Sequence, residues 1–340
     1  MRPPAFWNDK AGRSSGAVTR ALLSPLGWAY AAAGAARIAR TTPYRASVPV
    51  ICVGNLTLGG TGKTPVSAAL LAMLNEAGAR PFALSRGWGG RLKGPVRVDP
   101  ALHNADDVGD EPLLLARAAP AVIASDRIAG ARLAAAEGAD AIVMDDGHQN
   151  PVLHKDFSFV VVDGEAGWGP GTIFPAGPLR EPIAAGLARA DAVIVMMPDG
   201  EAMPDLARLK LDTLEKPVLR AWLAPSGPVP DGKLLAFAGI GRPQKFFDGL
   251  TAAGGDLTDA IQFPDHHRFS ESDLKRLADL AENWNARLIT TEKDLVRLPA
   301  PVRGSVLSYP VQAVFADAAR IRDCLAQIMS GSGKSVTGTP

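Results

Sequence analysis

The sequence predicts an α/β fold: a doubly wound, mostly parallel sheet, then a second, smaller α/β domain, with a basic apolar helix ahead of both. Three observations carry this reading. Between residues 48 and 197, short runs rich in Val and Ile alternate with helical stretches, the rhythm of βαβ units whose strands are buried on both faces. The first of these strands leads into a glycine-rich turn, Gly59-Gly60-Thr61-Gly62, and then into a helix. A stretch rich in Pro and Gly, residues 198–233, breaks the rhythm before a second alternating set begins.

Taken in order, strands are predicted at 48–53, 81–84, 121–124, 141–144, 157–162 and 192–196, with helices at 65–76, 112–118 and 128–137 among them. The second set comprises a strand at 234–237, a helix at 244–250, an amphipathic helix at 271–284, a strand at 287–289 and a closing helix at 315–329. The expected divisions are therefore 1–46 (N-terminal basic segment), 47–200 (nucleotide-binding domain), 201–232 (linker), 233–329 (second domain) and 330–340 (a Gly/Ser/Thr-rich tail, expected to be disordered).

The 340 residues are 47% hydrophobic and 21% charged, with only two cysteines, Cys52 and Cys324, far apart in sequence. Neither a disulfide framework nor a zinc site is indicated, and a reducing compartment is the default. The net charge of +1 is lopsided. Residues 1–50 hold Arg2, Lys10, Arg13, Arg20, Arg37, Arg40 and Arg45 against Asp9, which is +6, leaving −5 for the rest. The overall balance argues against a nucleic-acid partner, whereas the local excess calls for an anionic surface. The run 21–36, with Leu22, Leu23, Leu26, Trp28 and Tyr30, is shorter than the ~20 residues of a spanning helix and contains Pro25, Gly27 and Gly34. A helix lying in a membrane interface fits it, and an ordinary helix packed on the domain is the alternative.

The turn Thr57-Leu58-Gly59-Gly60-Thr61-Gly62-Lys63-Thr64 has the order of a phosphate-binding P-loop. Glycines let backbone N–H groups turn inward around a phosphate, and the following helix adds its positive N-terminus. Lys63 can reach the β- and γ-phosphates and Thr64 can ligate Mg2+. The strict pattern has glycine where this chain has Thr57. Gly331-Ser332-Gly333-Lys334-Ser335 mimics half of the motif but has no helix after it. A second apolar strand ends in Asp145-Asp146, the place where P-loop enzymes put a carboxylate beside the metal. The guanine-reading NKxD pattern is missing; Lys210-Leu211-Asp212 has its spacing only, after Leu209. ATP and Mg2+ are the expected ligands.

Asp110, in Gly109-Asp110-Glu111-Pro112, opens a helix and can serve as a plain N-cap. His266, in Asp265-His266-His267, lies in a loop of the second domain. Together a carboxylate and an imidazole can orient and deprotonate a hydroxyl. The paired histidines have no third ligand at metal spacing. Arg86, Arg127 and Arg180 stand beyond strands or in loops, where arginine can hold a phosphate bidentately or simply face solvent.

These motifs, with Ser85-Arg86-Gly87, Asp145-Asp146-Gly147, Pro175-Ala176-Gly177-Pro178-Leu179-Arg180-Glu181, Phe263-Pro264-Asp265-His266 and Thr290-Thr291-Glu292-Lys293-Asp294, resemble the tetraacyldisaccharide 4′-kinase family. The resemblance covers residues 43–294 and implies transfer of the ATP γ-phosphate to the 4′-hydroxyl of an acylated glucosamine disaccharide 1-phosphate. It places that chemistry at the cytoplasmic face of an inner membrane, with no obligate protein partner. By resemblance, Asp110 is the catalytic base with His266 as its partner, Lys63 and Thr64 serve phosphate and Mg2+, and Asp145 and Asp146 form the metal side. Thr57 is normal for the family. Asn150 stands where a histidine is usual, and Trp88 where a tyrosine is usual. The competing readings are a P-loop ATPase switch acting on a protein partner, which needs no Asp110–His266 pair, and an ATP-dependent ligase, which leaves the basic N-terminus unexplained.

Overall fold

The computed structural model describes residues 4–7 and 15–331. Arg2, Asp9, Lys10, Arg13, most of the expected tail and the P-loop mimic from Ser332 onward lie outside the described residues. Among the described residues, thirteen strands form two sheets. In chain order they are β1 (Val50–Gly54), β2 (Pro81–Ser85), β3 (Val96–Arg97), β4 (Ala121–Ile123), β5 (Ala141–Asp145), β6 (Phe157–Asp163), β7 (Ala192–Met197), β8 (Val218–Pro225), β9 (Lys233–Ala238), β10 (Asp256–Gln262), β11 (Arg287–Thr291), β12 (Leu307–Tyr309) and β13 (Val311–Phe315).

The large sheet runs β13-β8-β7-β6-β1-β5-β2-β4-β3. Its interior strands are parallel, and only the outermost pairs, β13 with β8 and β3 with β4, are antiparallel. Because side chains alternate along a strand, each central strand feeds two core layers. Ile51, Val53, Val143, Phe159 and Ile194 pack with Leu70, Leu71 and Leu74 of helix Lys63–Glu76. Val50, Cys52, Ile142 and Met144 pack on the opposite side with Ala131 and Ala134 of helix Arg127–Ala136. Both faces are dry, which is why these strands read as unbroken apolar runs.

Strand order reverses around β1, which lies between β5 and β6. The crevice beyond the strand ends at such a switch point is where α/β sheets take ligands. The register Val53↔Asp145 puts the glycine-rich turn and the acidic strand end side by side in that crevice.

The small sheet, β10-β9-β11-β12, is parallel throughout. It is inserted into the large one, since β8 precedes it and β13 follows it. Ser226 N donates to Pro310 O (3.0 Å) where the two crossing segments meet. The sequence-derived boundaries change accordingly. The expected linker at 201–232 contains β8, a strand of the large sheet whose inner and outer positions alternate in burial and so lack a continuous apolar run. The expected closing helix of the second domain, Ala318–Met329, instead places Ile321, Cys324 and Leu325 in the core layer of Leu70 and Phe159.

Helix Ser15–Arg40 is continuous despite Pro25 and longer than the expected apolar run. A side chain at Gly27 would come within 2.9 Å of Ile173 O, so glycine permits the helix to lie against the 172–180 loop. Tyr30 meets Phe174 at 5.8 Å between ring centroids, and Trp7 Nε1 donates to Pro175 O (3.0 Å). Leu22 and Trp28 remain 76% and 68% exposed. Among the described residues no helix is long and apolar enough to cross a membrane.

Candidate active site

β1 ends at Gly54, and the loop that follows closes on helix Lys63–Glu76. Gly62 has φ 88°, in the left-handed region that favours glycine, and turns the backbone into the helix. Asn55, buried, donates from Nδ2 to Thr61 Oγ1 (3.2 Å) and braces the loop from within. Its outer wall is the 172–180 loop: Leu58 N donates to Pro178 O (2.7 Å) and Arg180 N to Leu56 O (2.8 Å). Thr57 forms an antiparallel bridge with Leu179. An extended, paired residue is needed there, which accounts for a threonine in place of the P-loop glycine.

Asp145 ends β5 directly under the helix N-terminus. Thr64 Oγ1 donates to its Oδ2 (3.1 Å) and Ser67 Oγ to its Oδ1 (2.9 Å). Burial, then the negative charge of Glu111, push the Asp145 carboxyl up to about 7 against the opposing charge of Lys63. Asp146 has φ 53° and pairs with Lys63 Nζ (3.6 Å) and with Arg180 Nη1 (2.9 and 3.1 Å). Burial works against its ionisation, but Lys63 and Arg180 outweigh it and hold its carboxyl below the usual range. A hydroxyl and one or two carboxylates beside a phosphate loop are the donor set Mg2+ takes, since it keeps waters and phosphate oxygens for its other positions. The Thr64 hydroxyl bonded to Asp145, with the negative charges of Glu111 and Asp146 acting on that carboxylate, fits such a cation. Among the described residues no cluster of three His, Cys, Asp or Glu side chains forms a protein-only metal cage.

Asp110 opens the helix Asp110–Ala118, which precedes β4 of the large sheet, and His266 lies in the loop after β10 of the small one. Gly109, not Asp110, caps helix Asp110–Ala118, so the N-cap reading of Asp110 fails and its side chain is left for other partners. Asp110 is 5% exposed. Its Oδ1 accepts from Glu111 N (2.9 Å), and its Oδ2 lies 3.2 Å from His266 Nδ1. Arg297 Nε donates to the same Oδ2 (2.8 Å), as does Arg297 Nη2, and Lys293 Nζ is 4.0 Å away. Burial alone would raise the Asp110 carboxyl; the hydrogen bond to His266 and the charges of Lys293 and Arg297 drive it well below the ordinary range. His266 itself has φ 56° and sits with its ring 5.0 Å from Trp88, which is 62% exposed.

A family model for the tetraacyldisaccharide-1-P 4′-kinase (LpxK) matches residues 19–330. The chain belongs to that kinase family. It is 58% identical to the tetraacyldisaccharide 4′-kinase of Maricaulis maris over 97% of each chain. It is 53% identical to that of Caulobacter vibrioides, covering 95% of this chain and 97% of the relative. The fold is shared with a solved LpxK from Aquifex aeolicus, described as an "apo" form in complex with ATP: TM-score 0.73, 24% identity, 91% of this chain and 99% of that one.

For this kinase, three arginines expected at substrate fare differently. Arg180 is engaged with Asp146. Arg127 is buried, donates from Nη1 to Ala124 O, and has its pKa lowered to about 10 by burial and then by Arg86; its Nε has no partner. Arg86 is exposed at the end of β2. His148 lies two residues before Asn150, which stands where the family usually has histidine. It is buried, with Nε2 2.9 Å from Gly186 O, and burial lowers its pKa to about 4. Asn150 caps Val152 N through Oδ1 (3.0 Å) and its carbonyl accepts from Lys155 Nζ (2.7 Å). Sequence reasoning missed Glu111, Lys293, Asp294 and Arg297. Three of the four lie within quoted motifs, but only the packing of two sheets shows that they converge on Asp110.

Proposed function

We propose that this kinase transfers the γ-phosphate of ATP to the 4′-hydroxyl of the tetraacyl glucosamine disaccharide 1-phosphate, with Asp110 receiving the acceptor hydroxyl and His266 as its partner. The observation that carries this reading is the convergence of Asp110 and His266 beside the P-loop. Glu111, next to Asp110, is close enough to Asp145 to raise its proton affinity, so the carboxylate of the acceptor side and the nucleotide loop share one crevice. Lys63 and the backbone of Leu58–Thr64 bind the phosphates and concentrate positive charge where negative charge is transferred. Thr64 and Asp145 would hold Mg2+, with Asp146 tethering Lys63, and a cation held there would supply neutralisation of phosphate charge.

Asp110 has a low proton affinity, so it acts by orienting the hydroxyl and accepting its proton late. That suffices for phosphoryl transfer through a loose transition state, which asks little base strength. Trp88, exposed beside His266, offers a flat face against which a sugar ring can lie. Arg86, exposed at the end of β2, would meet an anionic group of the substrate.

The helix Ser15–Arg40 lies in the interface of the cytoplasmic leaflet. Support comes from its exposed Val18, Leu22, Leu26 and Trp28 together with Arg37 and Arg40, the pairing of apolar and basic side chains that suits an anionic surface. Its contact with the 172–180 loop brings that surface to the wall of the P-loop. The reaction is tested by incubating the purified enzyme with ATP, Mg2+ and the monophosphorylated lipid and weighing the lipid by mass spectrometry. Gain of one phosphate on the 4′ sugar is expected; release of inorganic phosphate with the lipid unchanged would point to an ATPase.

A further inference from the structure

The buried charge between the two sheets is centred on Arg297, which follows the short helix Glu292–Leu295 and whose side chain is 7% exposed. Four of its five guanidinium N–H groups donate to oxygen. Nη1 donates to Gly239 O and to Asp294 Oδ1, both at 2.9 Å. Nε and Nη2 donate to Asp110 Oδ2, and Nη2 lies 3.2 Å from His266 Nδ1. Asp294 is itself fixed by Gly239 N (3.0 Å) and Thr291 Oγ1 (2.7 Å). The carbonyl of Gly239 also accepts the His266 N–H (3.0 Å). One planar fork therefore holds the Asp110 carboxylate and the carbonyl that anchors the His266 backbone.

The two oxygens of Asp110 are thereby made unequal. Oδ2 is saturated by Arg297 and faced by His266 and Lys293, whereas Oδ1 accepts only the Glu111 N–H among the described residues. A carboxylate oxygen has two lone-pair sites, so Oδ1 keeps one. We infer that Arg297 is a positioning residue for the transfer step: it pins Asp110 through Oδ2, so that Oδ1 receives the acceptor hydroxyl, and keeps Asp110 and His266 in register across the two sheets. This rests on the reading of Asp110 given above. The planar geometry matters as well as the charge, because Nε and Nη2 converge on one carboxylate oxygen while Nη1 reaches Gly239 O and Asp294, an arrangement that an ammonium cannot span.

The test measures kcat and KM for ATP from about pH 5 to about pH 9 in Arg297→Met, Arg297→Lys and Asp110→Asn, using the full chain and the monophosphorylated lipid in mixed micelles. The charged groups facing Asp110 are His266, Lys293 and Arg297 from the small sheet's side and Glu111 from its own helix, with Asp265 and Asp294 beyond. Asp110 is held well below the ordinary carboxylate range, so in the wild type it stays ionised across this window. In Arg297→Met, kcat should fall roughly 10- to 100-fold throughout it, with KM for ATP changed less than about twofold. Arg297→Lys keeps the charge but not the guanidinium geometry: kcat should again fall with KM for ATP held. Wild-type kcat in Arg297→Met, or a loss confined to KM for ATP, would overturn the inference. If Arg297→Met does not fold, Arg297→Lys decides, and wild-type turnover in that variant overturns it. Asp110→Asn separates the two levels: slow turnover there with unaffected Arg297 variants removes Arg297 alone, whereas unchanged turnover removes the reading of Asp110.

Discussion

His266 Nδ1 lies 3.2 Å from Asp110 Oδ2, although Asp110 opens a helix between strands of the large sheet and His266 lies in the loop after β10 of the small one. The pair exists only because the small sheet is inserted between β8 and β13 and folds back over the end of the large one. Replacing His266 with Ala leaves the nucleotide loop untouched and removes a partner of the Asp110 carboxylate. Turnover should drop by roughly 10- to 100-fold, and ATP affinity, measured by equilibrium binding, should stay within about twofold.

Asp145 carries the opposite assignment. Its carboxylate is bonded to Thr64 and Ser67 under the phosphate loop, so Asp145→Asn should weaken the Mg2+ requirement of nucleotide binding. A titration of Mg2+ against a fluorescent ATP analogue should show apparent metal affinity falling by about tenfold or more, with metal-free nucleotide binding little changed. Equal metal affinity in the variant would remove Asp145 from the metal side.

The helix Ser15–Arg40 predicts a membrane phenotype. Leu22→Ser combined with Trp28→Ser removes apolar area that the described residues leave mostly exposed. Each buried CH₂ contributes about 0.8 kcal/mol to interfacial binding, so the double variant should shift from vesicles containing anionic lipid into the supernatant on flotation. Retention equal to wild type would assign the helix to packing alone.

His148 predicts a pH dependence of stability. Its folded-state pKa is lowered from 6.5 to about 4 by burial. The unfolded chain therefore binds a proton between those values that the folded chain does not, and stability falls as pH falls through the window. This group contributes up to about 1.4 kcal/mol of loss per pH unit there. Chemical denaturation of His148→Asn should show a shallower slope between about pH 6.5 and about pH 4, whatever its stability at neutral pH. An unchanged slope would mean that His148 titrates normally.

The large sheet was legible in the sequence because its central strands are buried on both faces and follow one another as apolar runs. β8 and β13 were not, since they lie toward the sheet's edge and expose alternate residues. Thr57, Lys63, Thr64 and Asp145 were legible from order alone: strand, turn, helix and acidic strand end are local. Arg297 was not, because its meaning depends on a contact with Asp110 across 187 positions of sequence. Arg180 was read as a substrate group, but its pairing with Asp146 needs the 172–180 loop to wrap the P-loop, which no local pattern reveals.

The central claim is that Asp110 serves the acceptor hydroxyl and not the nucleotide. A single-turnover experiment with γ-labelled ATP, the monophosphorylated lipid and either wild type or Asp110→Asn tests it most directly. Wild type should place the label in the lipid, and the variant should bind ATP normally while transferring label roughly 10²- to 10³-fold more slowly. Label transfer at the wild-type rate by Asp110→Asn, or label found only as free phosphate with the wild-type enzyme, would contradict the account.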